Sequence, residues 1–176
     1  MVAARPGLSG EGDALWTSTA ELALVVVTAD CVPVLVASPA AVAAVHAGWR
    51  GICAGVVGAA VAALEPSGAP LTAWIGPAIG PCCYEVGEDV ATRVAAASSS
   101  DVLMRRGAGR PRLDLPRAVY EQLERAGIAD VRMLRRCTRC DPSLASFRRD
   151  GPQCGRNYSV IWRRGAPAGG RPKARS

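Results

Sequence analysis

The chain has a single histidine and a single phenylalanine, and it contains no apolar run near the ~20 residues that a membrane-spanning helix requires. The first absence bears directly on metal chemistry. One imidazole cannot build a metal site made of several histidines. The scarcity of aromatics leaves basic residues without the interleaved stacking groups of a nucleic-acid binder, and no nucleic-acid-binding signature is found. The opening Met1-Val2-Ala3-Ala4-Arg5-Pro6-Gly7 lacks the apolar core of a secretion signal. Glycine-rich phosphate fingerprints are also absent. Gly76-Pro77-Ala78-Ile79-Gly80-Pro81 has the wrong spacing, two prolines and no lysine.

What is present describes a core-forming chain. Apolar residues make up 49 % of the 176, well above disordered compositions, and the length suits one domain. Seven cysteines are an odd number in a chain too long for a disulfide-stapled mini-domain, so reduced thiols and a soluble cytoplasmic protein are expected. The formal charge of +6 is concentrated in Arg132, Arg135, Arg136 and Arg139 and in the stretch from Arg163 to Lys173. That stretch reads as a solvated tail, with a polyanion partner as the alternative.

Residues 22–28, 32–37 and 41–45 are β-branched apolar runs, expected as strands buried on both faces. Ser38-Pro39 marks the turn between the second and third. Residues 52–64 read as one buried helix with Gly55 and Gly58 permitting close packing, and 72–75 as a short strand. Residues 88–98 read as a helix and 99–112 as a surface loop. A helix begins at the N-cap Asp114 and ends at Gly127, with Leu115, Val119 and Leu123 on one face. Residues 130–134 and 157–162 read as strands. The pattern implies an α/β (α+β) domain over residues 1–164, with mixed β-sheets flanked by helices. A disordered basic tail is expected over 165–176.

Two residues concentrate the chemistry. His46 closes an apolar strand and is followed by Gly48 and Gly51, which let backbone approach a ligand. A lone histidine there is more often structural. Cys31 follows Thr28-Ala29-Asp30 at another strand end, where a small buried hydrophobe is the plain alternative. If 32–37 and 41–45 pair as a hairpin, Cys31 and His46 emerge at the same end of adjacent strands. They would then be a nucleophile–base pair, or two ligands of a zinc site. Spacing does not choose. Arg50 offers a forked donor for phosphate, and Arg148 or Arg149 of Ser146-Phe147-Arg148-Arg149-Asp150-Gly151 does the same. Cys137-Thr138-Arg139-Cys140 with Cys154 is one C-x-x-C, weak evidence for a structural zinc. Cys82 and Cys83, neighbours in an extended segment, would point opposite ways and serve as packing.

Taken together, the motifs resemble one family. Gly12-Asp13-Ala14-Leu15-Trp16-Thr17, Thr28-Ala29-Asp30-Cys31-Val32-Pro33-Val34-Leu35, Ala44-Val45-His46-Ala47-Gly48-Trp49-Arg50-Gly51 and the run from Ile75 to Gly87 resemble signatures of the YfiH/YlmD-like "laccase-domain" proteins. Asp114-Leu115, Gln122-Leu123, Cys137-Thr138, Ser146 to Gly151 and Gly155-Arg156 continue the match in order to about residue 162. The resemblance implies a YfiH/CNF1-like cysteine hydrolase fold. It also implies a zinc-dependent purine nucleoside phosphorylase acting on adenosine, inosine and methylthioadenosine with phosphate, and an adenosine deaminase activity. It implies zinc on Cys31, on His46 and on a second histidine in an upstream Q-V-H-G motif, which has no counterpart in this sequence. On this reading Cys31, His46 and Asp30 are catalytic, Asp30 orienting a ligand or taking a proton, and Arg50 and Arg148 bind phosphate. The alternatives are a metal-free Cys/His hydrolase, or an inactive truncated paralogue acting as a binding protein.

Overall fold

A computed structural model describes residues 1, 7, 12–64, 68–105, 107 and 109–165; of the tail expected over 165–176, all but Gly165 lies outside the described residues. A five-stranded sheet runs in the order β1 (Ala14–Thr17), β4 (Val42–Ala47), β3 (Val32–Ala37), β5 (Thr72–Ile75), β8 (Asp130–Met133). Among the described strands only the β5–β8 pair is parallel. Two-stranded ribbons form from β2 (Leu24–Thr28) with β9 (Asn157–Ile161), and from β6 (Leu103–Met104) with β7 (Arg112–Leu113). The helices are α1 (Trp49–Cys53), α2 (Val56–Leu64), α3 (Glu88–Ala97), α4 (Leu115–Arg125) and α5 (Phe147–Asp150).

Strand alternation divides the packing into two layers. Val32, Val34 and Val36 of β3 and Ala43, Val45 and Ala47 of β4 face the main core, with Ile52, Val57, Val61, Val94, Val119 and Leu123 from the helices. Val42 and Ala44 of β4 face the other way, against Leu24 and Val26 of the β2–β9 ribbon. The β3–β4 centre is therefore buried on both faces, as its unbroken apolar runs require. The β2 strand is not. Its residues alternate, leaving Val25 and Val27 44 % and 42 % exposed. A continuous β-branched run signals a pleated strand, but the number of covered faces depends on which layers lie beside it.

Local chemistry explains the helix boundaries. Asp114 caps α4 by accepting the Arg117 N–H at 3.0 Å, and Gly127 adopts φ +82° just beyond its end. The helix expected over 52–64 is instead two helices, because Gly55 turns left-handed at φ +75° between them. No atom lies within 4 Å of a Cβ built on Gly55 or Gly58, so neither glycine serves close packing. The 99–112 stretch is also more structured than a loop. It carries a 3-10 turn at Ser100–Val102 and the β6–β7 ribbon, with Val102 and Leu113 fully buried.

Candidate functional site

The β3–β4 register assembles the site. Val32 pairs with Ala47 and Pro33 with His46. One step further along, Cys31 stands across from Gly48 and diagonally from His46, on the sheet face turned toward the β2–β9 ribbon. Gly48 keeps that corner open: a Cβ there would lie 3.2 Å from Cys31 Sγ and 3.6 Å from His46 Cε1. The β1–β4 register supplies a third group. Ala14 pairs with Val45, so Asp13 stands across from His46. Its carbonyl accepts the His46 backbone N–H at 2.7 Å, and its carboxylate Oδ1 sits 2.9 Å from His46 Nδ1. With Nδ1 engaged, Nε2 is the ring nitrogen left for Cys31 or a ligand. Hydrogen bonding to the Cys31 sulfur is the largest influence on the imidazole. Burial opposes it, Asp13 reinforces it, and the pKa is pushed up to about 9.

Asp30 is held differently. It is buried, and it is one of two described non-glycine residues at positive φ, here +93°. This strained conformation aims both of its oxygens at fixed donors. The Thr138 hydroxyl donates to Oδ1 at 2.6 Å and the Arg148 backbone N–H donates to Oδ2 at 2.6 Å. Arg148 also donates from Nη1 to the Glu85 carbonyl at 2.8 Å and lies 5.1 Å from the Tyr84 ring centre. Arg50 is exposed on α1 and stacks 4.4 Å over Trp49. Tyr84 connects these groups. Burial raises its pKa first, then the nearby Cys31, while Arg148 and Arg50 pull the other way. Cys31, Asp30, Arg50 and Arg148 thus share one electrostatic neighbourhood around Tyr84. His46 itself opens onto a groove of about 270 Å³ between β1, β4 and β2. A larger cleft of about 440 Å³ lies between Pro33, Trp74 and Met133. It is mostly apolar, and Arg132 is its only charged wall.

Sequence reasoning missed Asp13, Thr138 and Tyr84 as site residues. Their signals were present as motif letters, but only the register and the loop contacts give them partners. It also misread Cys82 and Cys83. That segment is a turn, with the Gly80 carbonyl accepting N–H groups from Cys83 at 2.9 Å and Tyr84 at 3.0 Å. The two side chains converge with Cys137 and Cys140, and the four sulfur atoms lie within 4.8 Å of one another, an arrangement able to hold a metal ion. Cys154 is outside this group; its sulfur accepts from Arg156 at 3.0 Å. Within the cluster, burial opposes ionisation of Cys137. Backbone hydrogen bonds, led by the Gly80 N–H at 3.2 Å, outweigh it and bring the pKa down to about 7. Burial, followed by the neighbouring thiols, drives Cys82 upward.

A sulfur, an imidazole and a carboxylate in a row across the ends of three neighbouring strands are an arrangement of the kind used for nucleophilic or metal-assisted chemistry. The family described as multi-copper polyphenol oxidoreductase laccase matches residues 2–164, and this chain belongs to it. The chain is 43 % identical over 155 residues to the purine nucleoside phosphorylase SCO2081 of Streptomyces coelicolor, covering 85 % of this chain and 63 % of that one. It is 36 % identical to the purine nucleoside phosphorylase YfiH of Escherichia coli, covering 89 % and 66 %. The crystal structure of YlmD from Geobacillus stearothermophilus superimposes with a TM-score of 0.80 at 34 % identity, covering 87 % and 61 %. The chain therefore spans just under two thirds of the length of these relatives. The mixed α/β fold read from the sequence is the fold of these structural neighbours. Among the described residues no helix is long and apolar enough to cross a membrane.

Proposed function

We propose that this chain carries the reactive corner of a zinc-dependent purine nucleoside phosphorylase, with adenosine deamination as a second reaction. The observation that carries this reading is the Asp13–His46–Cys31 row. A carboxylate on Nδ1 orients an imidazole so that its other nitrogen faces a metal, and a thiolate beside it is a second donor suited to zinc. This chain's residues thus fit two zinc ligands, Cys31 and His46, with Asp13 behind them. Catalytic zinc takes three protein ligands and keeps one open position, and the chain has one histidine. When bound, zinc supplies Lewis acidity at that corner.

The remaining roles follow from charge and position. In phosphorolysis a phosphate oxygen bonds to ribose C1′ as the C1′–N9 bond breaks, and the purine leaves with the bonding electrons and takes up a proton. Arg50 and Arg148 are the cations placed to hold the phosphate. Tyr84, with its pKa raised, stays a neutral phenol able to donate a hydrogen bond to the substrate. Asp30 acts as a positioning residue, since both of its oxygens are already occupied by donors. The partners are purine nucleosides and phosphate. In deamination water adds at C6 of adenosine and ammonia leaves, giving inosine. The test is to incubate folded, zinc-loaded protein with inosine plus phosphate, and separately with adenosine. Ribose 1-phosphate with hypoxanthine, and inosine from adenosine, are expected; absence of all three products overturns the reading.

The same row favours a second reading, a metal-free thiol hydrolase. Asp13, His46 and Cys31 have the order of orienting acid, base and nucleophile. A thiol-directed probe separates the two. Preferential labelling of Cys31 in metal-free and zinc-loaded protein alike, lost in His46→Ala, supports the hydrolase. Protection of Cys31 by zinc supports the phosphorylase.

A further inference from the structure

Cys82, Cys83, Cys137 and Cys140 play no part in the chemistry proposed above, yet they form the densest group of metal-donor atoms among the described residues. We propose that these four cysteines form a tetrathiolate site for one zinc ion, tying the turn at Gly80–Tyr84 to the turn at Cys137–Cys140. Four sulfurs about 2.3 Å from a tetrahedral zinc stand about 3.8 Å apart. Cys140 Sγ lies 3.7 Å from Cys82 Sγ and 3.4 Å from Cys83 Sγ, and all four sulfurs fall within 4.8 Å. These separations far exceed the ~2.05 Å of a disulfide.

The backbone is shaped for thiolates rather than for packing. The Gly80 N–H points at Cys137 Sγ from 3.2 Å. A Cβ on Gly80 would lie 3.3 Å from Cys137 Cβ and 3.4 Å from Cys82 Sγ, so the approach of the two turns depends on the missing side chain. Each turn is also clamped from outside. Arg112 donates to the Cys82 carbonyl at 3.0 Å, and Arg149 donates to the Thr138 and Asp141 carbonyls at 3.0 Å each. Four thiols binding one dication release four protons to water and leave a net charge of −2 on the site, next to these guanidiniums, which also pair with Glu85 and Asp150.

Cys83 precedes Tyr84, and Cys137 precedes Thr138, whose hydroxyl holds Asp30 next to Cys31. A metal joining the two turns holds both residues in place from behind.

Cobalt(II) is the probe, added to the His46→Ala variant purified under reducing conditions so that the Cys31 corner does not contribute. One equivalent should bind with intense visible bands of tetrahedral cobalt and near-ultraviolet sulfur-to-cobalt charge transfer. Adding Cys83→Ser and Cys140→Ser should abolish both. Absence of the bands, or their survival in the substituted protein, overturns the proposal. Should the substituted protein not fold, thiol accounting on the unsubstituted chain decides. Zinc should protect Cys82, Cys83, Cys137 and Cys140 until a chelator is added, whether or not Cys31 is protected with them. Free reactivity of any of these four in the presence of zinc, or disulfides among them, overturns it. These readouts are independent of nucleoside turnover, so failure here leaves the phosphorylase reading to its own test.

Discussion

Cysteine does different work in two neighbouring parts of this molecule. Just before β3, Cys31 is a single sulfur beside an imidazole, with a carboxylate behind the ring and a glycine where a side chain would fill the corner. Across the loop that follows β5, four sulfurs face one another with backbone N–H and carbonyl groups around them. The first arrangement leaves donor positions open, which suits reactivity; the second closes on itself, which suits structure. The loop connects them: the Ile79 N–H donates to the Asp30 carbonyl at 2.9 Å, while Ala78 bridges to Cys137.

The sharpest way to break this contrast is to remove one group from each side. Cys31→Ser or His46→Ala should lower phosphorolysis about a hundredfold or more, the scale of a positioned acid–base group. Both variants should still fold, with a cooperative melting transition. Loss of folding instead of turnover would make Cys31 a structural thiol. Asp13→Asn should come next, weakening zinc at the Cys31 corner about 10–100-fold, as loss of an orienting carboxylate does. Zinc titration in the Cys83→Ser/Cys140→Ser background measures that corner alone.

On the other side, Cys83→Ser with Cys140→Ser should lower thermal stability. A metal present at about 100 times its Kd contributes about 2.7 kcal/mol, or about 5–10 °C in a chain of this size. Calorimetry with and without chelator in the His46→Ala background checks it: the chain with all four cysteines should lose a similar amount on chelation, the chain lacking Cys83 and Cys140 nothing. A smaller effect is expected at the junction. Asp30→Asn keeps a residue tolerant of positive φ but loses a charged acceptor, costing about 1.5–3 kcal/mol, and Asp30→Ala should cost more because alanine is strained at φ +93°. Urea unfolding compares the two; equal costs would remove backbone strain from the account.

The last expectation concerns metal-free protein and pH. His46 is raised from 6.5 to about 9 on folding, chiefly by hydrogen bonding to Cys31. A raised folded pKa gives stability that is complete below pH 6.5 and lost as pH rises through 9. The melting temperature of chelated protein should therefore fall over that window, and the fall attributable to this group should vanish in His46→Ala. An unchanged slope would mean that His46 and Cys31 do not interact.

Much of this was legible before any coordinates. The runs 32–37 and 72–75 are strands with the ends expected from composition, and the α4 boundaries follow from Asp114 and Gly127. Cys31 and His46 stood out because strand ends next to glycine leave room for ligands. What escaped was set by long-range contacts. Gly55 looks like any helix-interior glycine until its φ is known, and Cys82–Cys83 look extended until Gly80 closes a turn over them. Asp13 carries no local sign that it will face His46, because 33 positions separate them along the chain.

The sequence by itself determined where the apolar strands lie and that Ser38-Pro39 turns between 32–37 and 41–45, so that, if the two pair as a hairpin, the short turn sets their register. That register is enough to put Cys31 near His46. Only the tertiary structure decided what surrounds the pair. The carboxylate behind His46, the buried clasp on Asp30 and the convergence of Cys82 and Cys83 with Cys137 and Cys140 all depend on loops packed across more than 30 residues of intervening chain. Such contacts are fixed by the fold as a whole, where no local propensity points to them.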